Sequence, residues 1–189
     1  MKERGIIFTG ESVRAILDGR KTQTRRVCKG ARELSRAADW QLDRCPYGVP
    51  GDRLYVKETW RRPMDPDGEP LTGVEYRGDA GQLARDIGIG WKSSMFMPRW
   101  ASRLTLEVVA VRVERLQEIT EADAIAEGAH EFVLPTGSCW GMNKHGTPGL
   151  EIGDCAAHAY ALGWDSINRK RAPWASNPWV WVVEFRRLP

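Results

Sequence analysis

A short basic segment near the N-terminus, GRKTQTRR at positions 19–26, combines four cations and two threonines with no acid. Lys21 and Thr24 could do chemistry together, because a neutral amine can take the proton of a threonine hydroxyl and make it a nucleophile. Free lysine titrates near about 10.4, so the pKa of Lys21 would have to fall by several units. Burial would lower it, and so would neighbouring cations. The candidate neighbours are Arg20, Arg25 and Arg26. A basic strand that binds phosphate is the alternative interpretation.

A second polar segment, PGDRLYVKETW at positions 50–60, offers groups that could contact a base. Alternation along a strand turns either Lys57 or Glu58 inward. An inward Glu58 could accept a hydrogen bond from the amino group of cytosine. Trp60 could stack on a base, and packing in the core is the alternative for this residue.

The cysteines and histidines do not follow a metal-binding pattern. Four cysteines and three histidines occur without a Cys-x-x-Cys pair. A zinc site from Cys139, His145 and Cys155 is a minor alternative, because structural zinc sites usually show closely spaced ligand pairs. We expect reduced thiols, no metal and no cofactor.

Composition narrows the class of protein. The chain has 189 residues, 42% of them hydrophobic, and a net charge of +3. This length allows one domain with a proper core. No apolar run reaches the roughly 18 residues of a membrane span, and the N-terminus lacks the apolar stretch of a signal peptide. We therefore expect a cytoplasmic protein that does not enter a membrane.

The elements around the basic segment decide whether Lys21 and Thr24 can meet. SVRAILDG predicts a short helix with Ser12 as its N-cap and Gly19 as a left-handed end. KTQTRRV predicts a strand. Because residues 21 and 24 of a regular strand point to opposite faces, the site requires Lys21 to lie in the turn after Gly19.

The remaining pattern predicts a mixed α+β fold. RLTLEVVAVRVERL is a long strand, with Leu104, Leu106, Val108 and Ala110 expected on one face and a bulge possible. TEADAIAEG predicts a helix capped by Thr120 with Asp123, and DCAAHAYALGWDSIN predicts another. NPWVWVVEFRR closes the chain as a strand with Trp179, Trp181, Val183 and Phe185 on one face. We expect one domain over 1–189, a small, curved, mainly antiparallel β-barrel with flanking helices, carrying loop insertions at about 29–50, 61–100 and 129–150.

Four segments in this order, ILDGRKTQTRR, PGDRLYVKE, LQEITEADAIAEG and WVVEF, resemble the ASCH family of the PUA-like superfamily. The resemblance implies a PUA-like β-barrel and spans nearly the whole chain outside the insertions. CPYG, MPRWASR and NPWVW resemble longer versions of the family found in phages and prophages. One fold hosts several activities, so the resemblance specifies the fold more closely than the function.

Some ASCH proteins are amidohydrolases that remove the acyl group from N4-acetylcytidine. The resemblance implies a catalytic set of Lys21, Thr24 and Glu127, with Glu121 as the alternative carboxylate. The substrate would be a modified cytidine nucleoside or RNA. Two alternatives stay open: a non-catalytic module that binds RNA or a modified base, with its cations on phosphate, and a ribonuclease. The preferred acyl group and the oligomeric state stay open as well.

Overall fold

A computed structural model describes residues 1–28, 42–65, 67–69, 71–79, 90–135, 137–143 and 150–189. Most of the predicted insertion at 29–50 lies outside these residues. The strands are β1 (Glu3–Ile7), β2 (Gln23–Val27), β3 (Arg53–Lys57), β4 (Trp60–Arg61), β5 (Glu75–Tyr76), β6 (Thr105–Arg115), β7 (His130–Leu134), β8 (Gly137–Asn143), β9 (Leu150–Gly153) and β10 (Trp179–Arg187). The α-helices are α1 (Gly10–Leu17), α2 (Glu121–Ala126) and α3 (Ala156–Asn168).

The main sheet has five strands in the order β1-β3-β6-β10-β2. β1 and β3 run parallel, and the other three pairings are antiparallel. The two edge strands are bridged by a side chain, because Arg26 in β2 donates from Nη2 to the carbonyl oxygen of Ile7 in β1 at 2.6 Å. The sheet is therefore strongly curved, and the predicted α+β class with a mainly antiparallel sheet is confirmed.

The long strand β6 bends at a bulge. Glu184 pairs with Ala110 and Phe185 pairs with Val108, which leaves Val109 as the extra residue, 50% exposed. The extra residue shifts the alternation of β6. Val111 and Val113 therefore join Leu106 and Val108 on the buried face, and the predicted place of Ala110 on that face is wrong.

Strand β10 separates two hydrophobic clusters. Trp179, Trp181, Val183 and Phe185 face the first cluster, as predicted, with Phe8, Leu54 and Leu106 among their partners. Val180 and Val182 face the second cluster, which α3 covers with Tyr160 and Trp164. Both faces of this strand are buried, because helices or strands lie on either side.

Two local predictions need correction. Thr9, not Ser12, caps α1, because its hydroxyl accepts a hydrogen bond from the Ser12 amide at 3.2 Å. The segment 129–150, predicted as a loop, contains β7, β8 and the start of β9, which form a three-stranded antiparallel sheet. Packing against α3 stabilises this sheet, because Trp140 and Met142 contact the second cluster. This contact is between residues distant in sequence, so the local sequence pattern does not predict it.

In the part of the chain that the structure describes, no helix combines the length and the apolar composition needed to cross a membrane.

Candidate active site

Lys21 lies in the turn between α1 and β2, as the site required. Gly19 has a φ of 75°, a left-handed conformation that glycine adopts without steric cost. The amides of Arg20 and Lys21 both donate to the carbonyl oxygen of Ala15, at 2.8 and 3.0 Å. β2 begins only at Gln23, so Lys21 is outside the regular alternation of the strand and its side chain turns into the protein, where it is 5% exposed.

Glu127 is the C-cap of α2 and is 3% exposed. Its position is fixed by the residues on both sides: the Thr22 amide donates to the Ala126 carbonyl at 2.9 Å, and Gly128 turns the chain with a φ of 106°. The predicted capping box of Thr120 and Asp123 starts this helix and is confirmed. The end of α2 is thereby held against the turn that carries Lys21.

Lys21 and Glu127 form a buried pair. The Lys21 ammonium donates to Glu127 Oε2 at 2.7 Å and to the Glu127 carbonyl oxygen at 2.7 Å. Burial lowers the pKa of Lys21, and the neighbouring charges of Arg26 and Arg25 lower it further, while Glu127 acts in the opposite direction. The lowered pKa is the direction that a general base requires.

Thr24 lies on the face of β2 that packs against the first cluster. It pairs with Val183, a residue of the first cluster, and is 4% exposed. The Phe8 ring belongs to the same cluster and has the Lys21 ammonium 6.0 Å from its centroid. The ammonium thus lies near the first cluster, and among the described residues no hydrogen bond joins Thr24 to Lys21 or Glu127.

Arg25 faces the opposite side of β2 and is paired with carboxylates rather than with solvent. Its side chain has no exposed area, and its Nη2 atom lies 2.5 Å from Glu114 Oε1 and 3.2 Å from Asp123 Oδ2. Its Nη1 atom lies 3.5 Å from Glu127 Oε1. Burial opposes the charged form of Arg25, and the carboxylates around it outweigh burial and raise its pKa. Arg25 is thus placed to orient Glu127 and is closed to a phosphate group.

Of the other two predicted cations, Arg20 lies apart from this pair and Arg26 lies beside Lys21 at the Phe8 ring. Arg20 is on the surface, 40% exposed, with its guanidinium 2.8 Å from Asp18. Arg26 lies over the Phe8 ring at 5.2 Å and bonds to Ile7. Lys21 and Arg26 therefore lie against the same ring, whereas Arg25 is buried among carboxylates and Arg20 is on the surface.

Glu58 and Trp60 belong to another cluster. Glu58 is 1% exposed and accepts hydrogen bonds from Arg103 at 2.8 and 3.0 Å. Burial raises the pKa of Glu58, and Arg103 opposes the rise. Trp60 is 4% exposed and packs with Met97 and Ala101, in agreement with the core alternative. No contact between either residue and Lys21 occurs within the described ranges.

Three residues near the pair were not singled out from the sequence as site residues. Glu114 and Asp123 hold Arg25, whereas the sequence predicts Asp123 as a helix cap alone. Tyr160 of α3 is buried, and burial raises the pKa of its phenol well above the usual range, with Glu127 adding to the rise. Glu114 could be found only through the pairing of β10 with both β6 and β2, because nothing local marks it.

Some buried polar atoms around the pair have no hydrogen-bond partner among the described residues. They are Gln23 Nε2, Arg25 Nε and Nη1, and Glu127 Oε1. Buried polar atoms in native proteins are usually hydrogen-bonded. Two of these atoms, Arg25 Nη1 and Glu127 Oε1, lie 3.5 Å apart, so their opposite charges compensate each other inside the protein.

Within the described ranges, no group of three or more histidine, cysteine, aspartate or glutamate residues could hold a metal ion. His145, one member of the minor zinc alternative, lies outside those ranges. Cys28 and Cys45 are buried as free thiols, and burial raises the pKa of Cys28 to about 12.

Two solved structures are similar in fold to this chain. One is an ASCH domain from Lactobacillus crispatus JV V101, with 11% identity and a TM-score of 0.43 over 98% of this chain and 79% of that chain. The other is a DUF984 protein from Enterococcus faecalis V583, with 12% identity and a TM-score of 0.41 over 100% of this chain and 80% of that chain. No family model and no curated protein matches the sequence.

Proposed function

We propose that the protein is an amidohydrolase that removes the acyl group from N4-acylated cytosine nucleosides. The observation that carries the proposal is the buried hydrogen bond of 2.7 Å between Lys21 Nζ and Glu127 Oε2, at the start of the strand that bears Thr24. An amine, a carboxyl group and a hydroxyl are the base, acid and nucleophile that hydrolysis of an amide requires.

Acylation of the enzyme begins from neutral Lys21 and protonated Glu127. This state has the same net charge as the ion pair and is reached by moving one proton along their hydrogen bond. Thr24 Oγ1 attacks the acyl carbon and gives its proton to Lys21 Nζ. The bond between the acyl carbon and N4 then breaks while Glu127 protonates N4, and cytidine leaves.

Deacylation returns Lys21, Thr24 and Glu127 to their starting protonation states. A water molecule attacks the ester on Thr24 and gives a proton to the Glu127 carboxylate. The bond from the acyl carbon to Thr24 Oγ1 breaks, and Oγ1 takes back a proton from the Lys21 ammonium. The products are a carboxylic acid and cytidine, and no metal or cofactor takes part in this scheme.

Binding of RNA through the basic segment alone is less well supported. That alternative requires the cations of the segment to meet phosphate groups, and Arg25 has no exposed area. Arg20 and Arg26 are already engaged with Asp18 and the Ile7 carbonyl oxygen. A ribonuclease activity has no separate support in these contacts.

The direct test is incubation of the purified protein with N4-acetylcytidine and longer N4-acyl analogues, with products separated by chromatography. We expect release of cytidine and the matching carboxylic acid from at least one nucleoside. If every nucleoside in the panel stays intact at high enzyme concentration, the proposed function is wrong.

A further inference from the structure

A second surface, away from the Lys21–Glu127 pair, exposes apolar and aromatic side chains beside cations. Four of its residues are large and mostly exposed: Phe96 at 75%, Met95 at 63%, Met64 at 61% and Trp100 at 57%. Exposed apolar residues that lie together mark binding surfaces. Here Met64, Arg62 and Lys92 line one groove, and Arg62 also lies against Trp100. The four residues, together with Arg62 and Lys92, are called the aromatic–cationic surface below.

This surface rests on a rigid base. Trp60, Met97 and Ala101 form a small buried cluster beneath it. The Trp100 ring meets the Trp60 ring edge to face, with centroids 5.7 Å apart. The backbones of Trp60 and Lys92 exchange hydrogen bonds of 3.2 and 2.8 Å. The exposed Trp100 ring is therefore held in a defined orientation.

The cations of this surface lie against its aromatic rings. The Arg62 guanidinium is 4.8 Å from the Trp100 ring centroid, and the Lys92 ammonium is 5.2 Å from that of Trp60. Neither Arg62 nor Lys92 has a carboxylate partner among the residues described. Arg61, their neighbour, is paired with Glu75. Arg62 and Lys92 line a groove of about 250 Å³ together with Met64, Gly90 and the paired Arg61 and Glu75.

The cations of the aromatic–cationic surface favour a nucleic acid over a protein as its ligand. The cores of protein–protein interfaces are depleted of charge, whereas surfaces for single-stranded nucleic acids combine cations for the backbone with aromatic rings for the bases. Of the three cations between Gly90 and Leu106, Arg99 is paired with Glu3 and Arg103 is paired with Glu58 and Asp79, which leaves Lys92 without a carboxylate partner among the described residues.

We propose that the aromatic–cationic surface binds single-stranded nucleic acid, with an unpaired base stacked at Trp100 and the phosphates near Arg62 and Lys92. This inference does not depend on the amidohydrolase proposal. The two regions are linked through Phe8, which contacts the Lys21 ammonium and donates from its amide to the Lys57 carbonyl at 3.0 Å. Lys57 Nζ in turn donates to the Met95 carbonyl at 2.6 Å. A nucleic acid bound at this surface would thus be connected to the candidate active site through the contacts of Phe8 and Lys57.

The test is fluorescence anisotropy with labelled single strands of about 12 nucleotides, one RNA and one DNA, within the site sizes of about 4–16 nucleotides known for such surfaces. We expect binding that weakens between about 50 and 200 mM salt. Trp100→Ala should weaken binding by about 5- to 150-fold, the loss expected for one stacked base. The double variant Arg62→Ala with Lys92→Ala should make the slope of the logarithm of the binding constant against the logarithm of salt concentration shallower by about one to two.

A second variant, a folding check and two controls distinguish base stacking from unfolding and from nonspecific attraction to cations. Phe96→Ala repeats the test at a more exposed ring, and circular dichroism checks that each variant is folded. Lys170→Ala with Arg171→Ala removes two cations at the end of α3 and should leave binding unchanged. A duplex of the same sequence should bind more weakly than the single strand, because its bases are not free to stack.

Absence of binding at low salt would overturn the proposal. So would folded Trp100→Ala and Phe96→Ala variants that bind the single strand as tightly as the unmodified protein does. A duplex that binds the unmodified protein as tightly as the single strand would overturn it as well. Sedimentation that shows a dimer abolished by Trp100→Ala would assign the surface to a second copy of the chain instead. Because the hydrolysis test uses free nucleosides, failure of either proposal leaves the other one standing.

Discussion

Lys21 and Glu127 depend on each other, because each is almost completely removed from water. A buried charge that loses its partner typically costs about 3–5 kcal/mol, since the remaining charge is left without compensation. Arg25 lies 3.5 Å from the other oxygen of Glu127 and compensates part of any charge left on that carboxylate. The pair should therefore behave as one energetic unit.

A double-mutant cycle tests this coupling. We expect Lys21→Met to lower the free energy of unfolding by about 3 kcal/mol and Glu127→Gln to lower it by a similar amount. The double variant should lose clearly less than the two single losses together, because no unpaired charge remains. Urea unfolding measures all three, with Lys2→Met and Glu131→Gln as exposed controls. Additive losses would show that the two side chains do not interact.

The pH dependence of stability reports on Lys21 directly. Its pKa is lowered in the folded protein, so between that pKa and the unfolded value near about 10.4 the unfolded chain binds more protons. The free energy of unfolding must therefore rise with pH across this window. We expect this rise in the unmodified protein and not in Lys21→Met. Equal pH dependence of the two proteins from neutral pH to about 10 would contradict a lowered pKa.

At the scale of elements, the turn PGD before β3 aligns β1 with β3. Asp52 accepts hydrogen bonds from the Lys2 amide at 2.6 Å and from Arg4 Nη1 at 2.8 Å, and both donors belong to the N-terminal segment. These bonds lower the pKa of Asp52 to about 2. The stabilisation is present above the unfolded pKa near about 3.9 and is lost as the pH falls through the folded value.

We predict that Asp52→Asn lowers the urea midpoint at neutral pH, because the amide cannot replace a carboxylate that accepts from Lys2, Arg4 and Val49. The difference between variant and unmodified protein should shrink as the pH falls from about 4 towards 2. Denaturation curves at several pH values measure it, and Asp67→Asn in an exposed turn is the control. A difference that does not depend on pH would contradict this role of Asp52.

The elements that the sequence predicts well are those with a local signature. Gly19 marks the end of α1, and Thr120 with Asp123 marks the start of α2, so the turn that carries Lys21 could be placed in advance. The sheet β7–β9 and the bulge at Val109 could not, because they depend on packing against α3 and on pairing with β10. The burial of Arg25 was equally hidden, because Glu114 is distant in the sequence and meets Arg25 only across the sheet.

At the scale of the molecule, the two proposals concern different parts of one curved sheet and its attachments. The candidate active site lies where the turn after α1 meets the end of α2, and burial sets its chemistry. The aromatic–cationic surface lies on the segments around β4 and is open to solvent. The net charge of +3 is small, so binding of a polyanion would depend on the local arrangement of cations.

The most direct test of the central claim is the initial rate of cytidine release from an N4-acylcytidine by Lys21→Met and Thr24→Val, compared with the unmodified protein and with Lys2→Met. Loss of a general base typically costs about 10²–10⁴ in rate. We predict a loss in this range or greater for Lys21→Met and Thr24→Val, with all proteins folded and Lys2→Met fully active. Release at the unmodified rate by folded Lys21→Met would contradict the claim.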